Sequence, residues 1–139
     1  MKPQIDKKTA LIMLIDDVEV DLYINQYIIK KKWEDSIILK FTSGIEAFDY
    51  LKNNQIRLEN IPDIIFLDIN MPLMNGFEFV EAFKTLNEDL KSKCIIYILS
   101  SSFNPLEIKR ANEDPYIKAF IEKPLTADVV SVINHGFFR

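Results

Sequence analysis

Polar residues follow four apolar runs of the sequence, each at the point where the run ends. These residues are Asp16-Asp17 after ALIMLI, Asp68 after DIIFL, Ser100 after CIIYIL, and Glu122-Lys123-Pro124 after YIKAFI. If the runs are parallel strands of one sheet, their carboxyl ends meet at one edge, which is where ligands bind in open sheets of this kind. The sequence therefore predicts a single site that collects carboxylates, a hydroxyl and an ammonium group.

This set of groups suits phosphoryl chemistry beside a metal ion. At a separation of about 4 Å, two carboxylates repel by about 4 kcal/mol at an effective dielectric constant of about 20, so the charge of three of them must be offset by protonation or by a cation. Mg²⁺ is a natural one, because it takes few carboxylates together with waters and phosphate oxygens. Lys123 adds a point charge suited to phosphate. An aspartate can itself be the nucleophile and form an aspartyl-phosphate, while metal and lysine neutralise the charge of an in-line transfer.

Each of these residues also has an ordinary interpretation. Asp16-Asp17 can cap the helix that follows, since carboxylates favour a helix N-terminus. Asp68 can be a turn residue, Ser100 can open a loop, and Lys123 can be a solvated surface lysine. The prediction of a site therefore depends on the coincidence at four strand ends. The fifth run, SIILKF, is followed by Thr42-Ser43, which is interpreted as a helix start.

The elements that must position these residues are five apolar runs at 10–15, 36–41, 63–67, 94–99 and 116–121. Several are continuously apolar rather than alternating, which is typical of strands that are buried on both faces of a parallel sheet. Helical patterns lie between them. The order is strand then helix, five times, and this alternation predicts an α/β fold with a doubly wound parallel sheet and helices on both faces.

Apolar spacing and cap residues predict the helices. One pattern repeats at helical spacing through Val20, Tyr23, Ile24, Tyr27 and Ile28. The predicted caps are the capping boxes Ser43/Glu46 and Asn75/Glu78, the pair Asn104-Pro105, and Thr126. The box at Asn75 is expected to begin a helix that contains Phe79, Val80, Phe83 and Leu86.

Composition excludes several classes of function. The net charge of −4 and the lack of a long basic stripe argue against nucleic acid as a partner. No apolar run is long enough to span a bilayer, and no apolar signal region opens the sequence. Cys94 begins an apolar run and is predicted to be a buried hydrophobe rather than a catalytic thiol. His135 is the one histidine, so a Cys/His zinc cluster is excluded. A Ser-His-Asp triad would have to use this histidine, and the sequence contains no nucleophile elbow to go with it.

The length of 139 residues suits one domain, predicted over residues 1–139 with a core at about 10–135. A cytoplasmic setting is expected for a chain with this cysteine usage.

Taken together, the motifs LIDD, DINMPLMNG, ILSS and FIEKPL resemble the receiver domains of two-component response regulators, the family of the chemotaxis regulator CheY. DINMPLMNG fits the pattern D-x-x-M-P-x-M-x-G throughout, and the match covers essentially the whole chain. The resemblance, rather than the spacing of the runs, implies the flavodoxin-like strand order 2-1-3-4-5.

The resemblance also implies a role for each matching residue. Asp68 is the phosphoacceptor; Asp17, Asp68 and the main-chain carbonyl of Asn70 bind Mg²⁺, and Asp16 acts through a metal-bound water. Lys123 contacts the phosphoryl oxygens, Ser100 bonds them after phosphorylation, and backbone N–H groups of Asn70 and Ser101 lie nearby. Phe120 matches the switch aromatic, where tyrosine is frequent, and the Lys123-Pro124 bond is expected to be cis. Two segments, NNQIRLENIP and NEDLKSK, are somewhat long and are predicted to be surface elaborations.

These roles imply a stand-alone receiver that is a switch rather than an enzyme acting on a separate substrate. Its phosphoryl donor is a sensor histidine kinase or a histidine phosphotransfer protein, and its output is a downstream protein target. The expected output surface is the fourth helix, fifth strand and fifth helix, roughly 104–136. The implied oligomeric state is a monomer or a weak dimer, with no nucleic acid and no membrane among the partners.

Two other functions compete with this one. A receiver-like adaptor that works without phosphorylation would keep the fold, and an intact site does not prove its use. A phosphatase with an aspartyl-phosphate intermediate needs a second aspartate two residues after the nucleophile as general acid. That position holds Asn70, which disfavours the phosphatase.

Overall fold

All five predicted strands form, and they pair in parallel in one sheet. A computed structural model describes the backbone of residues 9–137 and the side chains up to residue 133. The strands are β1 (Leu11–Ile15), β2 (Ile37–Phe41), β3 (Ile64–Asp68), β4 (Ile95–Ser100) and β5 (Ile117–Glu122). Their order is β2-β1-β3-β4-β5, so the strand order implied by the resemblance is confirmed.

The central strand β3 explains why its sequence is continuously apolar. All five of its residues are buried, because it has a neighbour on each edge and helices on each face. Its last residue, Asp68, pairs in register with Leu99 of β4. The edge strand β2 is half exposed by contrast. The pattern of burial thus places one carboxylate at the end of the most enclosed strand.

The described part of the chain contains six α-helices, one more than predicted, and a short 3-10 helix at Leu58–Asn60. The α-helices are α1 (Glu19–Lys32), α2 (Gly44–Asn53), α3 (Gly76–Phe83), α4 (Glu88–Lys93), α5 (Pro105–Glu113) and α6 (Ala127–Phe137). The additional helix α4 lies in NEDLKSK, where Asn87 accepts a hydrogen bond from Leu90 N–H at 2.9 Å. The helix predicted to run from Asn75 to Leu86 ends at Phe83, and the predicted fourth and fifth helices are α5 and α6.

The helices cover the sheet on both faces, as a doubly wound fold requires. One core contains side chains of α2, α3, α4 and α5, represented by Leu51, Phe79, Leu90 and Ala111. The second core contains side chains of α1 and α6, among them Leu22, Ile29, Val130 and Ile133. The predicted fold class, a five-stranded parallel α/β sheet of the flavodoxin type, is confirmed.

The predicted cap residues are confirmed with one qualification. Asn75 and Glu78 form a complete capping box, with reciprocal bonds of 2.8 and 2.9 Å. Ser43 accepts from Glu46 N–H at 3.2 Å, which is one half of the predicted box. At the later helices, Asn104 accepts from Leu106 N–H and Thr126 accepts from Val129 N–H.

Helix α1 forms where predicted, but much of its apolar repeat faces solvent. Val20, Tyr23, Ile24 and Tyr27 are exposed, and Tyr23 is 71% accessible. The side chains that α1 buries are Leu22, Asn25 and Ile29. Since apolar residues occur on both sides of this helix, the spacing predicts the helix correctly without specifying which side packs on the sheet.

Cys94 is confirmed as a packing residue. Its thiol donates to the carbonyl of Pro62 at 3.2 Å, and burial raises its pKa to about 12, which is incompatible with a reactive thiolate near neutral pH. The side chain of His135 lies outside the described residues. Among the described helices, none has the length and apolarity to cross a bilayer.

Candidate functional site

Three aspartates meet at the carboxyl edge of the sheet. Asp16 and Asp17 follow β1, and Asp68 ends β3, which is the neighbour of β1. One carboxylate oxygen from each lies within 4.8 Å of the others. Asp16 and Asp68 are buried, whereas Asp17 is exposed. The structure thus brings together the carboxylates that the sequence predicts.

Lys123 reaches the same cluster from the end of β5. Its backbone N–H donates to the carbonyl of Ser100 at 2.8 Å, which continues the pairing of β4 with β5. Its Nζ lies 2.7 Å from Asp16 Oδ2 and 3.4 Å from Asp68 Oδ1. The predicted cis bond between Lys123 and Pro124 is confirmed. One ammonium group therefore contacts two of the three clustered carboxylates.

The electrostatics of the site are those of crowded, buried charges. Burial raises the pKa of Asp68 to about 6, and the nearby negative charge of Asp16 adds to this increase, while Lys123 opposes it. Burial alone would lower the pKa of Lys123, but hydrogen bonds to Asp16 and Asp21 hold it above its ordinary value. Near neutral pH, the site therefore presents an ionised but poorly solvated Asp68 beside a fixed cation.

The donor set fits a hard divalent cation. The three clustered side chains all offer carboxylate oxygens, and oxygen is the ligand type that Mg²⁺ prefers. In an octahedral Mg²⁺ site the ligand oxygens are about 3–4 Å apart, since each lies about 2.1 Å from the metal. The observed span of 4.8 Å therefore accommodates two direct carboxylates and a third that acts through water. Both oxygens of Asp16 already have partners, Val18 N–H at 3.0 Å and Lys123 Nζ, which makes Asp16 the natural third.

The loop after β3 holds Asp68 in place. Gly76 N–H donates to the carbonyl of Ile69 at 2.8 Å and closes the loop. Met71 is buried in the core, and Met74 packs against it. Asn70, two residues after Asp68, is exposed. The hydrophobic character of this turn is thus explained by its packing beneath the site.

Leu73, at the tip of the same loop, is exposed and has a φ of 70°. A side chain other than glycine is uncommon in this left-handed region.

Ser100 lies at the end of β4 and is fully buried. Its Oγ accepts a hydrogen bond from Ser102 N–H at 3.1 Å, and Ser102 Oγ in turn lies 3.3 Å from a carboxylate oxygen of Glu107 on α5. Ser101 is exposed, and Phe120 of β5 is half-buried and packs against the first core. The Ser100 hydroxyl is therefore hydrogen-bonded to the loop that leads into α5.

Sequence reasoning missed Asp21. Lys123 Nζ lies 2.9 Å from Asp21 Oδ2, so this residue of the first turn of α1 belongs to the charge network. An acidic residue in a first helical turn is ordinarily explained by the helix dipole, and that explanation hides its second role. The signal in the sequence is a carboxylate one helical turn after Asp17.

A doubly wound sheet with an acidic cluster and a lysine at its carboxyl edge is the arrangement that the resemblance to receiver domains predicts. The family model for the response regulator receiver domain matches residues 12–133. The chain belongs to this family, and it is a receiver domain of two-component signalling.

Solved structures agree in sequence and in fold. A two component response regulator from Cytophaga hutchinsonii is 32% identical with a TM-score of 0.83, over 93% of this chain and 97% of that one. A response regulator receiver protein from Dyadobacter fermentans is 27% identical with a TM-score of 0.79, over 91% and 97%. A chain of the CheX-CheY-BeF3-Mg+2 complex from Borrelia burgdorferi, at 23% identity and a TM-score of 0.74, shares the fold over 96% of this chain and 94% of that one.

Among curated proteins, hybrid signal transduction histidine kinase C from Dictyostelium discoideum is 31% identical over 129 residues. The match covers 88% of this chain and 10% of the kinase. The sensor kinase/phosphatase LuxN from Vibrio campbellii is 26% identical, over 91% of this chain and 13% of LuxN. The chain thus spans about a tenth of the length of these relatives.

Proposed function

We propose that this receiver domain accepts a phosphoryl group on Asp68 in a Mg²⁺-dependent reaction. The observation that carries the proposal is the cluster of Asp16, Asp17 and Asp68, whose oxygens lie within 4.8 Å, with Lys123 Nζ 3.4 Å from Asp68. The donor is the phosphohistidine of a sensor histidine kinase or of a phosphotransfer protein. Both fit a cytoplasmic protein that signals to a downstream protein target.

In this proposal Asp68 is the nucleophile. One of its carboxylate oxygens forms the new bond to phosphorus while the phosphorus–nitrogen bond of the phosphohistidine breaks and its electron pair stays on the imidazole. Lys123 neutralises charge on the phosphoryl oxygens, and N–H groups of Asn70 and Ser101 donate to them. Mg²⁺, held by Asp17, Asp68 and the Asn70 carbonyl, supplies charge neutralisation during the transfer.

The protein is proposed to modify only itself. Hydrolysis of a separate substrate through an aspartyl-phosphate needs a general acid near the nucleophile. Two residues after Asp68 the chain has Asn70, whose amide is neutral and does not supply a proton. The missing general acid therefore favours a switch with only self-catalysed phosphorylation and dephosphorylation over a phosphatase.

Incubation with acetyl phosphate and Mg²⁺ tests this function. Intact-protein mass is expected to increase by one phosphoryl group, and the adduct is expected to resist acid and to be lost in base, as an acyl phosphate is. Asp68→Asn should take up none, while Asp49→Asn, the same change at an exposed position of α2, should behave as wild type. Modification of Asp68→Asn to the wild-type extent refutes the assignment, and modification that survives metal chelation refutes the role of Mg²⁺. If the wild-type protein is never modified, the phosphorylation-independent adaptor is the function that remains.

Phosphorylation is also expected to loosen the segment from Ser100 to Phe120. The reason is that Ser100 must leave its bond with Ser102 to reach the phosphoryl group, which breaks the connection through Ser102 to Glu107. Amide hydrogen exchange of α5 and the preceding loop should become faster in the phosphorylated protein, with β1 unchanged as the internal control. Identical exchange in both states would contradict the switch.

A further inference from the structure

Lys123 has a third carboxylate partner that its proposed role does not require. An ammonium group has three N–H donors, and the carboxylate oxygens nearest to Nζ are those of Asp16 at 2.7 Å, Asp21 at 2.9 Å and Asp68 at 3.4 Å. The lysine thus lies closer to Asp21, on helix α1, than to the residue that would carry the phosphoryl group.

We propose that Asp21 is a positioning residue that restrains Lys123 and is the partner that the lysine releases when Asp68 is phosphorylated. This inference rests on the proposed function and adds to it the residue that sets how readily the site reacts. It gives α1 a direct connection to the state of Asp68.

The choice of Asp21 as the released partner follows from solvation. The side chain of Asp16 is 4% exposed, so its carboxylate would be left buried if the lysine moved away. The side chain of Asp21 is 33% exposed and lies in the first turn of α1, where water and the helix dipole can stabilise the free carboxylate. A phosphoryl group therefore competes with Asp21 rather than with Asp16 for the third donor of Lys123.

Asp21 also adds to the negative charge of the site. With Asp21, the charge network holds four carboxylates, including Asp68 itself, and one ammonium group, and the phosphoryl donor is itself an anion. Loss of the Asp21 charge therefore has two effects in one direction, since it frees Lys123 and reduces repulsion of the donor. Both effects predict that Asp21 slows the reaction of Asp68.

The test compares two charge-neutralising variants on the same helical turn. In Asp21→Asn, the second-order rate constant for modification by acetyl phosphate should rise about three- to tenfold, the scale of a partly exposed ion pair. Glu19→Gln removes the same charge from the first turn of α1, and Asp21→Glu keeps the carboxylate at position 21. In both of these variants the rate constant should stay within about twofold of wild type. A rate in Asp21→Asn that is unchanged or lower overturns the proposal.

A second measurement does not depend on phosphorylation. The ammonium of Lys123, assigned by its loss in Lys123→Met, should give a nitrogen NMR signal in the unmodified protein because hydrogen bonds protect it from exchange. In Asp21→Asn its protons should exchange with water faster, and in Glu19→Gln they should not. If the wild-type protein is never modified, the proposed function fails, but this signal still tests whether Asp21 restrains Lys123. Faster proton exchange in Asp21→Asn supports the restraint, and unchanged exchange overturns it.

Discussion

Asp68→Asn is expected to unfold at a higher temperature than wild type at pH 7 in the absence of divalent cations. Burial, with the charge of Asp16 beside it, raises the pKa of Asp68 from 3.8 to about 6, so the ionised carboxylate is less stable in the folded chain than in the unfolded one. A difference of about two pKa units corresponds to at most about 3 kcal/mol at neutral pH. Because asparagine removes the charge and keeps the shape, we expect a gain of about 1–3 kcal/mol in the free energy of unfolding.

The pH dependence of this gain has a definite sign. Between about pH 4 and pH 6 the folded protein holds a proton on Asp68 that the unfolded chain has lost. The contribution of Asp68 to stability therefore falls as pH rises through this window. The advantage of Asp68→Asn should be full above pH 6 and should vanish toward pH 4, which denaturant titrations at several pH values can measure.

Two comparisons separate this cause from others. Asp49→Asn changes an exposed carboxylate on α2 and should leave stability within about 0.5 kcal/mol of wild type at every pH. Added Mg²⁺ should stabilise wild type more than Asp68→Asn, because the cation offsets the repulsion that the substitution has already removed. A loss of stability in Asp68→Asn at pH 7 would show that the ion pair with Lys123 outweighs the cost of burial.

The parts of the structure that were predictable are those with strong local causes. The three inner strands β1, β3 and β4 are almost wholly buried, so their runs are continuously apolar, and Ile64–Asp68 is the clearest case. The cap at Asn75 was predictable because its side chain and that of Glu78 satisfy N–H groups within one turn. The edge of the sheet at which the site lies then follows from parallel pairing, which places Asp16, Asp17 and Asp68 together.

The features that the sequence did not reveal depend on contacts between distant parts of the chain. The apolar residues of α1 occur on both sides of the helix, so the repeat through Tyr23 and Tyr27 does not identify the buried side. The short helix α4 has a cap at Asn87 but buries only Leu90, too weak a signal for periodicity. The pairing of Asp21 with Lys123 spans 102 residues and has no local pattern.

Gly76→Ala is expected to destabilise the protein and to slow modification of Asp68. A Cβ at Gly76 would lie 2.7 Å from the carbonyl oxygen of Asp68 and 2.9 Å from Cα of Ile69. These are backbone atoms of the last residue of β3 and of the residue that follows it, so the clash is relieved only by moving the backbone that carries the proposed phosphoacceptor. Overpacking of this kind costs about 1–3 kcal/mol, and the displaced Asp68 no longer matches the positions of Asp16 and Lys123.

Gly44→Ala is the matched control, because it adds the same methyl group on the same side of the sheet at the start of α2. There a Cβ would lie 3.2 Å from the Met74 carbonyl oxygen and 3.4 Å from side-chain carbons of Met71 and Met74. The two methionine side chains are flexible and can adjust. Alanine is also the better helix former, by about 1 kcal/mol, so the net change in stability should be small. The free energy of unfolding, measured by denaturant titration, and the rate of modification by acetyl phosphate should both fall in Gly76→Ala. Both should stay near wild type in Gly44→Ala. A Gly76→Ala protein with wild-type stability and rate would mean that the loop after β3 yields without moving Asp68.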